Sequence, residues 1–248
     1  MQITRRIYVV GSGRAGYNFT NPYDCDVYLV DCGEGLLLVD SGAGLNSGEI
    51  LDCIRSHGFS PENVRYILLT HGHADHSGGC RDLRKATGAR VLAHPDCARY
   101  VTEGDERAIA LDVARKTGGY PSDYRFCPCP AEAFPDSGKL RIGEITFTAY
   151  DTPGHCSGHY AYLMESEDCR ALFSGDSIFL GGRISLQNIW DCSLSDYAET
   201  AYRLSGLKFD ALLPSHFGID LTEGMTHIRK AVEVFSGLGI PEDAKKSR

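Results

Sequence analysis

The sequence predicts an α/β fold in which helices pack on the outside of β-sheets. Strand and helix signals alternate along both halves of the 248 residues, and this alternation is typical of sheets covered by helices. Residues 27–42 and 161–177 both show a strand, an acidic turn, a second strand and then an aspartate, Asp40 or Asp176. Two explanations stay open for this echo: hairpins resemble one another in general, or the fold consists of two similar halves that face each other.

The elements of the first half follow from apolar runs, helical spacing and turn residues. Helical spacing predicts a helix over 46–57, with Asn46 or Ser47 as its cap, and a second helix over 76–87 that Gly88 ends. Short apolar runs between turn residues predict strands at 27–30, 36–39, 64–70 and 90–93.

The second half continues the same alternation after a long irregular region. From His94 to about Gly119 the pattern is mostly helical, and the prolines between 121 and 135 predict a stretch without regular structure. Further helices are expected near 194–205 and 222–238. Strands are expected at 139–142, 145–150, 160–164, 171–174 and 211–213.

Composition limits the class of protein. Apolar residues make up 42% and charged residues 23% of the chain, enough to bury a substantial core. A net charge of -8 argues against binding to nucleic acid, and apolar runs are too short for a membrane helix or a signal peptide. We therefore expect a soluble, globular and cytoplasmic protein. Its ten cysteines are expected to be reduced thiols.

A cluster of metal-ligating side chains directly follows the predicted strand 64–70. Two histidines that are two residues apart in an extended segment point the same way, and the turn into a helix aims a second pair at a neighbouring point. Imidazole suits zinc or iron, and carboxylate tolerates either metal. The predicted ligands are His71, His73, Asp75 and His76.

Three more candidate ligands each come just after an apolar strand. They are His155 in the segment DTPGH, Asp176 in FSGD and His216 in LLPSH. Functional groups at strand ends on one edge of a sheet can converge, so these residues are expected to complete the ligand set.

Together these segments resemble the metallo-β-lactamase-fold hydrolase superfamily over nearly the whole chain. The resemblance rests on the strand 36–42, HxHxDH, TPGH, SGD and the last histidine. It implies a four-layer αβ/βα sandwich and a single domain over 1–248. It also implies an insertion at about 94–135, because 78 residues separate His76 from His155.

The resemblance also implies a two-metal site. One metal would be held by His71, His73 and His155, and the other by Asp75, His76 and His216. Asp176 would bridge the two metals. Asp40 resembles the supporting acidic residue that orients a ligand imidazole. Two zinc ions per chain are the expected cofactors, with iron or manganese as alternatives.

Such a site would catalyse hydrolysis without a protein nucleophile. Two divalent metals about 3.5–4 Å apart can share a water molecule and lower its pKa to roughly 7, giving a bridging hydroxide. Asp75 is expected to take a proton from this water and pass it to the leaving group, the alternative being a pure ligand or a helix cap. The expected substrate is an ester, thioester or lactone.

The branch of the superfamily stays open. The segment TPGHCSGH (152–159) resembles glyoxalase II and persulfide dioxygenases, whereas Phe179 stands where quorum-sensing lactonases carry Tyr. Asp176 stands where the best-known β-lactamases have Cys or Ser. The main alternative is therefore a mononuclear-iron persulfide dioxygenase, followed by a phosphodiesterase and by a metal-binding module without catalysis.

Two regions outside these motifs have competing interpretations. GSGRAG (11–16) matches a dinucleotide fingerprint, but a turn-rich loop follows it, so we expect a flexible loop at the mouth of the active site. Aromatic side chains of the insertion either contact an apolar acyl group or pack the insertion onto the body. They are Tyr100, Tyr120, Tyr124, Phe126 and Phe134.

Overall fold

A computed structural model describes residues 1–246 and divides the chain into two compact units, Met1–Phe134 and the part that begins at Pro135. Each unit contains one β-sheet with its own helices. The mixed α/β class predicted from the sequence is therefore confirmed. The prediction of one domain over 1–248 stays a prediction.

The first unit contains a six-stranded sheet in which strand order follows chain order. Its strands are β1 (Ile7–Gly11), β2 (Val27–Asp31), β3 (Leu36–Val39), β4 (Val64–Leu68), β5 (Arg90–Ala93) and β6 (Glu132–Ala133). The first three strands pair antiparallel and the last four pair parallel. Its helices are α1 (Ser47–Ser56), α2 (Ala74–Ser77), α3 (Cys80–Thr87), α4 (Pro95–Glu103) and α5 (Leu111–Lys116).

One helix predicted for the first unit is wrong in detail. The expected helix over 76–87 is two helices, α2 and α3, with Gly78 and Gly79 between them. A side chain at Gly79 would overlap the carbonyl oxygen of Ser41, and one at Gly78 would overlap that of Ala43. The backbone of the loop after β3 therefore packs directly against this break.

The proline-rich stretch also differs from the prediction. It contains the two-residue strand β6, which pairs parallel with β5 through Leu92 and Glu132. The helical region before it is interrupted at Gly104, which adopts a left-handed conformation with φ +69° and ends α4. The pairing of β6 depends on β5, about 40 residues away in the chain, so local sequence does not indicate it.

The second unit contains a five-stranded sheet in the order β11-β10-β9-β8-β7. Its strands are β7 (Lys139–Ile142), β8 (Ile145–Asp151), β9 (Tyr160–Glu165), β10 (Arg170–Gly175) and β11 (Ala211–Pro214), and its helices are α6 (Leu194–Ser205) and α7 (Gly224–Ser236). Only the pair β10–β11 is parallel. The core of this unit packs Leu172 and Leu212 of the sheet against Leu204 of α6 and Ile228 of α7.

The echo in the sequence corresponds to a repeated connectivity. In the first sheet the hairpin β2–β3 is followed by the parallel pair β3–β4, and in the second the hairpin β9–β10 is followed by the parallel pair β10–β11. Asp40 follows β3, and Asp176 directly follows β10. Both aspartates thus occupy the same position in the connectivity of their own sheet.

The sequence analysis also expected reduced cysteines and no membrane-spanning helix. All ten cysteines are free thiols, and six of them are buried. Across residues 1–246, no helix combines the length and the apolar character needed to cross a membrane.

Candidate functional site

Four predicted ligands of the first unit lie together, two on the segment that joins β4 to α2 and two in α2 itself. The ring centroids of His71 and His73 are 4.6 Å apart, and those of His71 and His76 are 4.0 Å apart. Asp75 Oδ2 lies 3.5 Å from His76 Nε2. His71 and His76 are fully buried, whereas the Asp75 side chain is 27% exposed and can exchange protons with solvent.

Asp40 fixes the ring of His76. Its Oδ2 lies 2.9 Å from His76 Nδ1, and its Oδ1 accepts a 2.7 Å hydrogen bond from the backbone N–H of Thr70. A carboxylate oxygen accepts here, so Nδ1 of His76 donates the hydrogen bond and a metal would be bound through Nε2. This is the contact that the resemblance implied for Asp40.

The backbone of α2 is held from outside the helix. The backbone N–H and the hydroxyl of Ser41 both donate to the carbonyl oxygen of His76, each at 2.7 Å. The N–H of Cys25 donates to the carbonyl oxygen of Asp75 at 3.3 Å. A helix of four residues is too short to be stable alone, so these bonds set the direction of its side chains.

Three predicted ligands of the second unit also lie together. Asp176 Oδ2 lies 3.5 Å from His155 Nε2, and Asp176 Oδ1 lies 3.7 Å from His216 Nε2. Each oxygen of the carboxylate therefore faces a different imidazole. All three residues are buried and follow strands of this unit, namely β8, β10 and β11.

Residues that the sequence analysis did not single out position His155. The hydroxyl of Tyr197, on α6, donates to the carbonyl oxygen of Ser185 at 3.0 Å and lies 3.3 Å from His155 Nδ1. His155 Nδ1 donates to the same carbonyl oxygen at 3.3 Å. Burial, followed by the charge of Asp176, raises the pKa of Tyr197 well above its ordinary value, so this hydroxyl stays protonated.

Two further side chains of the second unit contact the candidate ligands. The amide nitrogen of Gln187 lies 3.0 Å from His155 Nε2. His159 Nε2 accepts a 3.1 Å hydrogen bond from the backbone N–H of Asp176, and its Nδ1 lies 2.8 Å from the hydroxyl of Thr152. The sequence analysis did not name His159 as a ligand, and its ring nitrogens are engaged in these bonds.

The donor atoms fit a divalent transition metal. Zinc takes histidine nitrogen and carboxylate oxygen at about 2.0–2.2 Å, so two ligands of one tetrahedral ion lie about 3.3–3.6 Å apart. The separations of 3.5 Å between Asp75 and His76 and of 3.5 Å between Asp176 and His155 agree with this value. His/Asp clusters suited to divalent metal are therefore present in each unit.

The loop that matches a dinucleotide fingerprint leads into no helix, because the next element in the chain is strand β2. The backbone N–H of Ser12 donates to the hydroxyl of Thr20 at 2.8 Å, and the hydroxyl of Ser12 donates to the buried Asp26 at 2.5 Å. Asp24 Oδ1 accepts from the N–H of Ala43 at 2.8 Å. These bonds tie the loop to the segment after β3.

Most aromatic residues of the insertion, Tyr120 among them, pack against the core of the first unit. Tyr100, Tyr124 and Phe126 are buried in the core of the first unit, which supports the packing interpretation for these three. Tyr120 and Phe134 are partly buried.

Comparison with known families gives a match over most of the chain. Residues 20–216 match the family described as the Metallo-beta-lactamase superfamily. The matched range includes all seven predicted ligands, from His71 to His216.

Curated relatives are similar over part of their own length. Lactamase-like protein aptB of Emericella nidulans is 27% identical over 90% of this chain and 60% of that protein. Hydroxyacylglutathione hydrolase of Methylococcus capsulatus is 31% identical over 62% of this chain and 53% of that protein. Thioesterase pkgB of Emericella nidulans is 28% identical over 77% of this chain and 45% of that protein. The chain thus spans about half the length of these relatives.

Solved structures share the fold. BJP-1, a subclass B3 metallo-beta-lactamase of Bradyrhizobium japonicum, is 23% identical and superposes with a TM-score of 0.73. The superposition covers 96% of this chain and 91% of that chain. At this identity the likeness shows the fold alone.

Proposed function

The chain belongs to the metallo-β-lactamase superfamily, and on that premise we propose that it is a metal-dependent hydrolase of a small ester, thioester or lactone. Among these three substrate classes the thioester is favoured. Relatives named as a thioesterase and as a hydroxyacylglutathione hydrolase support this choice. The fungal relative named atrochrysone carboxyl ACP thioesterase, 26% identical over 84% of this chain, supports it as well.

The proposal assigns the metal ligands within each unit. The first unit supplies His71, His73, Asp75 and His76, and the second supplies His155, Asp176 and His216. Zinc is the proposed metal, with two ions per chain, since imidazole and carboxylate donors together suit it. When bound, divalent cations of this kind lower the pKa of water and polarise a substrate carbonyl.

The observation that carries the proposal is the arrangement around His76. Asp40 accepts from Nδ1 of that ring, and Nε2 faces the carboxylate of Asp75 at 3.5 Å. A hydrogen bond of this kind to a ligating imidazole fixes its tautomer and raises its basicity. The orientation of His76 by Asp40, with Asp75 beside its other nitrogen, suits a ligand imidazole and its supporting acid.

The protein's own residues also supply the proton transfer. Asp75 is the proposed proton acceptor, because its carboxylate is 27% exposed while His71 and His76 are buried. It takes a proton from the attacking water and returns it to the leaving group. The ring of His155 is oriented by Ser185 and Tyr197, so this imidazole would be held in a fixed direction for a metal bound there.

Metal quantification on the purified chain, together with a panel of thioesters, lactones and esters, tests the proposal. We expect two zinc ions per chain and fastest turnover on a thioester. One iron per chain, with oxygen uptake on a glutathione persulfide, would replace the hydrolase with a dioxygenase. A chain that binds zinc but hydrolyses no member of the panel would contradict the proposed substrate classes.

A further inference from the structure

The chain contains a single tryptophan, Trp190, and this residue is 61% exposed. Tryptophan is highly buried on average, because its ring carries a large apolar surface. Trp190 lies in the loop 185–193, which contains no helix or strand and leads directly into α6. An aromatic ring that a folded loop holds in solvent is a candidate contact for a ligand.

The loop 185–193 is anchored on both sides of its tryptophan. Partly buried apolar side chains before and after Trp190 pack against the core of the second unit, namely Leu186, Cys192 and Leu194. The backbone N–H of Gln187 donates to Cys192 Sγ at 3.4 Å, which closes the loop around residues 188–191. These anchors hold the backbone of Trp190 without burying its ring.

The same loop lies against the segment 154–157. Asp191 Oδ2 accepts a 2.9 Å hydrogen bond from the backbone N–H of Ser157. The backbone N–H of Ser193 donates to the carbonyl oxygen of Gly154 at 2.8 Å. These two bonds fix the loop to both ends of the segment.

Trp190 therefore lies at the edge of the candidate site. It directly precedes Asp191 in the chain, and consecutive Cα atoms are about 3.8 Å apart, so its backbone lies next to the segment that carries His155. Three residues earlier, the amide nitrogen of Gln187 lies 3.0 Å from His155 Nε2. The loop thus lines the part of the candidate site that the second unit forms.

The chemistry of an indole ring limits what it can bind here. Its flat apolar face suits an alkyl or aryl chain better than a strongly hydrated group. The aromatic residues of the insertion leave such a contact open, since Tyr100, Tyr124 and Phe126 are buried in the core of the first unit. A ring on an anchored loop also loses little conformational entropy when a ligand covers it.

We propose that Trp190 is a specificity-determining residue that contacts the apolar acyl chain of a thioester substrate. The ring covers the acyl chain beside His155, so thioesters of longer acyl chains are hydrolysed in preference to acetyl thioesters. This inference rests on the proposed function, since it takes His155 as part of the site at which the thioester is cleaved.

The fluorescence of Trp190 tests the contact without catalysis, because the chain has one tryptophan. The probes are S-octyl-N-acetylcysteamine and S-ethyl-N-acetylcysteamine, thioethers that have an alkyl chain but no thioester carbonyl to hydrolyse. We expect the octyl probe to shift the emission of the zinc-loaded protein saturably to shorter wavelength, and the ethyl probe to leave it unchanged at the same concentration. No shift with the octyl probe, or equal shifts with both, would overturn the inference. A shift that phosphatidylcholine vesicles cause and the octyl probe does not would identify a membrane surface instead and overturn it as well.

The kinetic test compares Trp190→Ala with Leu238→Ala. Leu238 is 96% exposed and lies just after α7, so the control also removes an exposed apolar side chain, but from outside the loop. For Trp190→Ala we expect kcat/KM on octanoyl-N-acetylcysteamine to fall about tenfold through a higher KM, with kcat/KM on the acetyl thioester unchanged. Leu238→Ala is expected to keep the preference of the parent, and Trp190→Phe most of it.

The two readouts separate this inference from the proposed function. Equal losses on both thioesters in Trp190→Ala, or a parent that does not prefer the octanoyl thioester, would overturn the role of Trp190. If the parent hydrolyses no thioester, the proposed function fails, whereas the titration with the octyl probe still decides whether Trp190 contacts an alkyl chain.

Discussion

Asp40 combines a strained backbone with a demanding side-chain role. It is a non-glycine residue at φ +64°, in the left-handed region that Asp and Asn tolerate best among residues with a side chain. Its carboxylate is fully buried and accepts from the backbone N–H of Thr70 and from His76. Glycine would relieve the backbone but lose both acceptors, so aspartate satisfies both requirements at this position.

The roles of the candidate ligands predict different effects of substitution. His71→Ala and Asp176→Ala are each expected to reduce bound zinc and abolish turnover, because each removes a donor that no neighbour replaces. Asp75→Asn is expected to keep much of the metal but lose most of kcat, because the amide oxygen still coordinates whereas the amide cannot take up a proton. Metal content and kcat of each purified variant are the measurements.

The control for these variants is His57→Ala. His57 lies at the end of α1, and its Nε2 is 2.9 Å from the N-terminal amine, so its loss is expected to leave metal content and turnover as in the parent. Full activity in His71→Ala would mean that the ligands are assigned wrongly. Loss of metal in Asp75→Asn as complete as in His71→Ala would remove the separate proton-transfer role.

The residues that sequence reasoning could find are those whose signal is local. HxHxDH places four donors within six residues, and a strand end fixes where they point. Tyr197 lies 42 positions from His155, so only the packing of separate elements brings them together. An isolated tyrosine on a helix or in a proline-rich stretch carries no signal for such a contact.

At the scale of elements, the break between α2 and α3 predicts a strong difference between two glycines. A side chain at Gly79 would overlap the carbonyl oxygen of Ser41, which is backbone and cannot move aside. Gly79→Ala is therefore expected to lower the free energy of unfolding by about 3 kcal/mol. Gly48→Ala, in the first turn of α1, meets only Asn46 Oδ1 at 3.3 Å and is expected to raise it by about 0.5 kcal/mol.

Denaturant unfolding of the parent and the two glycine variants measures both values. The two substitutions add the same methyl group, so any difference between them comes from the surroundings. Equal stability of Gly79→Ala and Gly48→Ala would mean that the loop after β3 does not press on the break between the helices.

The ion pair between Arg115 and Glu106, within the insertion, predicts a pH-dependent contribution to stability. The hydrogen bond from Arg115 holds the pKa of Glu106 below its ordinary value. Burial opposes this effect, and the hydrogen bond from the backbone N–H of Phe126 adds to it. A carboxyl group whose pKa is lower in the folded protein than in the unfolded chain stabilises the fold at any pH above its unfolded pKa of about 4.3. This stabilisation is lost as the pH falls through the pKa of the folded protein. Glu106→Gln is therefore expected to cost about 1 kcal/mol at neutral pH, and the difference from the parent is expected to vanish near pH 3.

Unfolding measured from pH 7 to pH 3 checks this expectation, with Glu103→Gln as the control. Glu103 makes a longer, exposed contact of 3.8 Å with Arg99, and an exposed pair of this kind contributes less than about 0.5 kcal/mol. If Glu106→Gln lowers the free energy of unfolding by the same amount across the pH range, the charge of Glu106 does not contribute to stability.

Elements with complete local signals were predicted well, and elements that depend on distant partners were not. The helix α6 has the bounds 194–205 expected from its sequence, because Ser193 caps it through the N–H of Asp196 and apolar residues follow helical spacing. The strand β6 is two residues long and exists through its parallel pairing with β5. The glycines between α2 and α3 are necessary because the backbone of residues 41–44 packs directly against them. Helical periodicity alone does not indicate this contact.

At the scale of the whole molecule, the repeated connectivity explains why candidate ligands come after strands in both units. In each sheet the chain makes an antiparallel hairpin and then a parallel crossover. A candidate ligand, or the aspartate that orients one, follows both strands of the parallel pair. The ends of neighbouring parallel strands lie side by side, so groups placed there approach one another. Each unit therefore carries its own candidate ligands at the ends of its strands.

Metal binding is therefore expected to stabilise the folded chain against heat. A ligand that binds only the folded state at 100 times its Kd adds about 2.7 kcal/mol, which for a chain of this size raises Tm by about 5–10 °C. Chelator treatment should lower Tm by that amount, zinc should restore it, and Asp176→Ala should lose most of the response because it removes a carboxylate beside both His155 and His216. Magnesium at the same concentration should restore less, since it prefers oxygen ligands. A Tm that is the same with chelator and with zinc would mean that these seven side chains do not hold metal in the folded protein.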